Sequence, residues 1–272
     1  MATFNSTSAG HRFWKQAGSL PHATKFAATI FIFAAGMVFA GDTNSFAAKP
    51  ESEFQRAQIQ FQLNPKNSTN AWQFARACFD LADIAKTDKK RAAIANQGIL
   101  ACDQLIARDP KIAAAHYYLA MDLGELARTK FLGALKIVKE MESEFLTAVN
   151  LDARFDFAGP ARNLGLLYRE APSFGSIGSR RKAREWLKRA LQLAPDYPEN
   201  HLNLIESYLK WGDRDAAKAE LEALDSSWPA AQKKFTGEKW AQTWKDWTAR
   251  RDAARKKLGK NSTLATSPKN GR

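Results

Sequence analysis

The chain has 272 residues, 45% of them apolar, a formal net charge of +13 and two cysteines. That is material for one or two domains, or for one repeat array with tails, and it limits disulfide chemistry to one bridge. The charge collects at the ends: Arg12, Lys15 and Lys25 precede the first acid, Asp42, and residues 241–272 set nine Lys and Arg against Asp246 and Asp252. The middle is only mildly basic, so the total charge does not mark a nucleic-acid binder.

In chain order, the first element is an uncharged stretch, Phe26–Ala40, preceded by basic residues. Spanning a bilayer takes ~20 apolar residues, so this shorter run reads as the core of a signal peptide, with cleavage after Ala40 or Ala47. Residues 1–47 are therefore expected to be an export segment and the protein to be periplasmic. An uncleaved inner-membrane anchor and a Ser/Thr-rich transit peptide remain the alternatives. No cysteine lies near the cleavage region, which speaks against a lipid-modified terminus. Residues 48–69 form an N-terminal flank.

Residues 70–229 carry an internal repeat. The clearest unit is His201–Pro229, which fits the 34-residue tetratricopeptide register. With His201 at position 4, Leu204 falls at 7, Tyr208 at 11, Gly212-Asp213 at the turn, Ala217 at 20, Leu221 at 24, Leu224 at 27 and Pro229 at 32. Small residues sit where two antiparallel helices touch, large ones fill the gap to the next hairpin, and proline is expected to end the second helix. The preceding unit holds Leu164, Gly165 and Tyr168, then Ala183, Leu187 and Ala190, with a lengthened turn A-P-S-F-G-S-I between. Before it, His116, Leu119, Ala120 and Leu123 pair with Met141, Phe145 and Ala148. The insertion there follows helical spacing through Phe131, Leu135, Val138, Met141, Phe145 and Val149. The first unit runs from Trp72 through Phe79 to Cys102, Leu105 and Pro110, with extra residues expected in the turn around T-D-K-K. Four hairpins suffice to bury a continuous core. The predicted fold is an all-α, tetratricopeptide-type solenoid closed by a C-terminal helix.

That closing helix is expected over 230–258. Trp240, Trp244 and Trp247 share one face of it, either capping the last hairpin or, with the surrounding Lys and Arg, meeting a membrane surface. Residues 259–272 have turn-forming and charged residues without periodicity and are expected to be a disordered basic tail.

In this repeat class the first helix of each hairpin lines a trough. The positions facing it are Gln73, Ala77 and Asp80; Tyr117, Met121 and Gly124; Arg162, Leu166 and Arg169; Leu202, Glu206 and Leu209. The candidate binding residues are Tyr117, Met121, Arg162, Leu166, Arg169, Leu202 and Glu206. They make an apolar trough with a few charges, suited to a peptide or to a small apolar or acidic ligand. Arg162 and Arg169 lie two turns apart on one face, and a guanidinium matches a carboxylate with two parallel hydrogen bonds. The structural alternative is that Arg162 pairs with Glu206 or Asp156. His116 and His201 read as packing residues. Cys78 and Cys102 are placed for one disulfide on one hairpin, or are two small buried apolar residues.

Catalytic patterns are missing: no G-x-S-x-G, no phosphate-binding glycine loop, no H-E-x-x-H and no Cys/His/Asp cluster at ligand spacing. A non-enzymatic protein without cofactor or metal is expected, with a protein partner rather than nucleic acid.

Within residues 159–200, G-P-A-R-N-L-G-L-L-Y, A-P-S-F-G-S-I-G-S-R-R-K-A and L-A-P-D-Y-P-E-N follow in order. This stretch resembles the T-component (TatT) family of tetratricopeptide proteins associated with TRAP-type solute transporters, as does the L-G-A-L-K-I-V-K-E-M helix. The resemblance implies a periplasmic helical protein with an internal apolar cavity or pore, whose partner would be a transporter's solute-binding protein. Members of that family are typically lipoproteins, and this chain departs from them there. A generic periplasmic scaffold for envelope proteins is the alternative function.

Overall fold

The computed structural model describes residues 43–130 and 133–259. The apolar stretch Phe26–Ala40, Phe131 and the tail 260–272 lie outside the described residues. The fold is all-α: ten helices are described, packed as antiparallel pairs in the tetratricopeptide manner. They gather into two compact units, one ending at Met141 and one beginning at Glu142.

The first unit holds α1 (Thr43–Leu63), α2 (Ser68–Asp83), α3 (Asp88–Arg108), α4 (Ala113–Arg128) and the start of α5 (Ala134–Leu151). Residues 48–69, expected only as a flank, are mostly helix. Phe54 and Phe61 recur at helical spacing and both pack on Phe74, the second ring stacked at 5.3 Å. The side chain of Asn67 accepts from the Asn70 N–H and starts α2; Thr87 does the same for α3 through Lys90. The extra length of this hairpin was expected in the turn. It goes into helix instead: only residues 84–87 separate α2 from α3, and α3 runs for 21 residues. The Thr87 cap and the alanine-rich A-A-I-A run explain the difference, because both favour propagating the helix over opening a loop.

The second unit holds the remainder of α5, then α6 (Phe155–Glu170), α7 (Arg180–Leu193), α8 (Pro198–Lys210), α9 (Arg214–Lys234) and α10 (Glu238–Gly259). In α5, Val138, Met141, Phe145, Ala148 and Val149 are buried, whereas Leu135 is exposed. The lengthened turn of the third hairpin is present as residues 171–179. Pro229 does not end the second helix of the last hairpin, which continues to Lys234. A proline in a helix interior removes one hydrogen bond and costs ~3 kcal/mol. Here Trp228, Ala231 and Phe235 are buried on the face that the continuation presents to the core, which offsets that cost. The final helix accordingly starts at Glu238, later than expected.

Trp240 and Trp247 are buried in a cluster with Tyr197, Leu202, Leu224, Trp228 and Phe235, and Trp244 packs half-buried against it. Their rings meet at 5–6 Å in edge and tilted contacts. The tryptophan stripe is thus packed against the preceding helices, with Trp240 and Trp247 buried inside the fold.

Candidate functional site: the inner helices

The first helices of the hairpins, α2, α4, α6 and α8, are buried on nearly all sides; the second helices are amphipathic. A helix apolar or small all round is an interior element. Consequently most of the residues expected to line an open trough are buried, whereas Gln73, Arg169, Glu206 and Leu209 are half-buried.

In the first unit, Tyr117 and Met121 are 3% and 2% exposed. Trp72 stacks on Tyr118 at 5.9 Å, and Tyr117 meets Tyr118 edge-on at 4.9 Å. Cys78 and Cys102 are both thiols here and both fully buried. Burial, then the neighbouring Asp122 and Cys102, push the Cys78 thiol up, away from its reactive thiolate form.

Asp122 was missed from the sequence, because nothing in L-A-M-D-L-G distinguishes it from a solvated acid. It is fully buried, and neither carboxylate oxygen has a hydrogen-bond partner among the described residues. It sits on Gly98, where a Cβ would come within 2.1 Å of its Oδ2. Burial first, then Glu125 and Asp80, raise its pKa well above the usual carboxylate range, which favours the neutral acid. Beside it, Arg128 donates to Asp83 at 3.1 Å and to both oxygens of Glu125 at 2.8 Å, and Arg91 reaches Glu125 at 3.3 Å. Burial outweighs the pull of Arg128 and pushes Glu125 up to about 8.

In the second unit, Arg162 is 3% exposed and locked into a backbone feature that sequence patterns do not mark. Asp156, Phe157 and Ala158 have φ of 49°, 54° and 62°, a left-handed turn made by three non-glycine residues inside α6. Such a conformation costs roughly 1–2 kcal/mol per residue. Arg162 Nη1 donates to the Phe157 carbonyl and to Asn200 Oδ1, both at 3.1 Å, and Nη2 reaches the Asp156 carboxylate at 3.3 Å. Asn200 Nδ2 donates to the carbonyls of Phe157, Ala190 and Ala194. The Asp156 pairing is therefore made, and it fastens the turn. Arg169 donates to Glu170 at 2.7 Å and to Ser207 Oγ at 2.9 Å. Leu166 and Leu202 are 1% and 0% exposed.

Glu206 meets Arg250, which sequence reasoning placed only among the cations flanking the tryptophan stripe. Arg250 Nε donates to Glu206 at 2.9 Å, Nη1 donates to Glu199, and Nη2 donates to Asn203 at 3.0 Å. Its place three residues after Trp247, on the buried face of α10, is the signal that could have found it. His116 and His201 make the same contact: ring Nε2 lies 2.9 Å from the Pro110 carbonyl and 2.8 Å from that of Pro195. Each closes a loop six residues back, which gives both a structural role. Among the described residues no three His, Cys, Asp or Glu side chains gather as a metal site, and no helix is long and apolar enough to cross a membrane.

Residues 45–153 match the family model described as regulator of microtubule dynamics protein 1-3, and residues 178–229 match a tetratricopeptide repeat model. Among solved structures, TTC0263, a thermophilic TPR protein in Thermus thermophilus, is similar at 20% identity with a TM-score of 0.58. That similarity covers 78% of this chain and 93% of the other, and it shows the shared fold. MamA is similar at 15% identity and a TM-score of 0.47, over 71% of this chain and 97% of that one. No curated protein matches. The chain is thus a tetratricopeptide-type helical repeat protein with an RMD1-3-like region.

Proposed function

We propose that the protein is a non-catalytic scaffold, exported to the periplasm, that binds a partner protein. The observation supporting this most directly is the tetratricopeptide architecture whose inner arginines, histidines and Glu206 are engaged within the fold. Arg162, Arg169, Glu206, His116 and His201 hold turns and neighbouring helices, so none is poised for chemistry. A small acidic ligand at Arg162 would have to displace Asp156 and two further acceptors. Partner binding therefore falls to the outer helices and connections.

Reciprocal co-purification from the native cells tests this: the tagged chain recovers a stoichiometric protein, and that protein when tagged recovers the chain. Recovery in neither direction removes the reading. Within it, the TatT resemblance at 159–200 makes a TRAP solute-binding protein the specific partner. Calorimetric titration of the purified pair checks that, and absence of heat at micromolar concentrations rejects it. Cell fractionation checks the location, and a cytoplasmic chain rejects export.

The match over 45–153 favours a second reading, in which the partner is a cytoskeletal polymer. Co-sedimentation with polymerised tubulin separates the two.

A further inference from the structure

Phe174 is 97% exposed, the most exposed of the large apolar side chains described. It stands at the tip of residues 171–179, the connection between α6 and α7. The connection is pinned at its base: the Gly178 N–H donates to the Pro172 carbonyl at 3.0 Å, and the Ser179 N–H donates to the Tyr168 carbonyl at 2.9 Å. A Cβ at Gly178 would lie 2.0 Å from the Ala171 carbonyl oxygen, so this closure requires glycine. Gly175, at φ 72°, turns the chain immediately after the phenylalanine. The ring is therefore presented by a closed loop, and fixing it on binding costs less ordering entropy than fixing a slack one.

A basic run follows directly. The side chains of Arg180, Arg181, Lys182 and Arg184 keep 53%, 75%, 43% and 37% of their exposure. Among the described residues three carboxylates serve these four cations. Asp213 serves both Arg184 at 2.9 Å and Arg180 at 4.0 Å, Glu185 serves Arg181, and Glu142 serves Lys182.

We propose that Phe174 and the basic run Arg180–Arg184 form the docking surface for a partner protein, the ring entering an apolar socket rimmed by carboxylates. This rests on the reading that the protein binds a protein. Aromatic and arginine side chains are enriched among residues that dominate protein interfaces. Three of the four cations are guanidiniums, whose planar forks match carboxylates in pairs and which already hold carboxylates in this fold. A lipid surface fits less well, because stable membrane anchoring takes two signals and a single ring supplies only part of one.

The test places a photo-reactive benzoylphenylalanine at position 174 of the full chain in its native cells, with Leu100 as the exposed control position. The cross-linked protein is identified, purified and titrated against the wild type and against Phe174→Ala, Phe174→Leu and the Arg180→Glu/Arg181→Glu double variant. A cross-link specific to position 174, onto a segment with flanking Asp or Glu, is expected. Phe174→Ala then weakens binding at least tenfold, Phe174→Leu recovers most of it, and the charge reversal weakens it in a salt-sensitive way. Thermal melts of Phe174→Ala match the wild type, since the ring touches little. Cross-linking to lipid alone, or a captured protein that binds Phe174→Ala as tightly as wild type, overturns the proposal. The second of these outcomes leaves the scaffold reading standing. No protein cross-link at either position, together with failed co-purification, removes both.

Discussion

Arg250 and Glu199 lie 51 residues apart in sequence, and one guanidinium nitrogen of the first reaches both carboxylate oxygens of the second at 2.8 Å. The two side chains keep 4% and 9% of their exposure, so α10 is tied to α8 by a desolvated ion pair. Glu206 and Asp246 share the same arginine. Arg250→Ala would leave three carboxylates around a buried hole. Breaking a buried pair in this way costs about 3–5 kcal/mol. Without the arginine, burial and mutual repulsion disfavour the charged carboxylates, so the deficit grows as pH rises from about 4 towards neutrality. Denaturant midpoints at pH 4.5 and 8 measure it. An equal loss at both pH values would rule this account out.

The left-handed turn at 156–158 makes a second expectation. Arg162→Lys keeps the charge but loses the fork that spans Phe157, Asn200 and Asp156, so it should behave nearly as badly as Arg162→Ala. Both should lower stability by about 2–4 kcal/mol, the cost of stranding buried hydrogen-bonding groups. Chemical denaturation decides it; a lysine variant as stable as wild type would mean that charge alone holds the turn.

Asp122 leaves a signature in pH dependence. Its folded pKa lies above its unfolded value, so the folded state keeps a proton that the unfolded state has already released. Stability is then full below about pH 4 and falls as pH rises through the folded pKa. Glu125, pushed up to about 8, adds a loss of the same sign between pH 4.5 and 8. Asp122→Asn removes the first contribution and should be at least as stable as wild type at neutral pH, with a shallower slope. Gly98→Ala should destabilise at every pH, because the new methyl meets the carboxyl.

Cys78 and Cys102 should resist modification while the protein is folded. Burial and the raised Cys78 pKa both suppress the thiolate. A thiol reagent added to native protein should label neither, and both should react at once in denaturant. Absence of labelling in denaturant without reductant would reveal a bridge between them.

Periodicity made the helices legible, and the small-large register of His201–Leu224 made the repeat legible, because both report packing that the sequence repeats. The interruptions were less visible. Pro229 reads as a terminator by its own chemistry, and only the burial of Trp228 and Phe235 around it shows why the helix continues. The Arg162–Asp156 contact was one of the alternatives open at the start, whereas its companion Asn200 was not, since a long-range polar bond to a backbone carbonyl leaves no spacing to find. The trough positions were assigned from the register, yet their burial depends on what packs against them, which local pattern does not encode.

The 171–179 connection is fastened through backbone groups at Pro172, Gly178, Ser179 and Tyr168, and at Gly178 the closure leaves no room for a Cβ. Residues 173, 174, 176 and 177 can therefore be rewritten without disturbing the helices on either side, with Gly175 kept for its φ of 72°. The same property makes the segment interchangeable: a foreign five-residue sequence that keeps glycine at its third place, grafted between Pro172 and Gly178, inherits a rigid mount, and recognition could be exchanged there while the framework is left as it is.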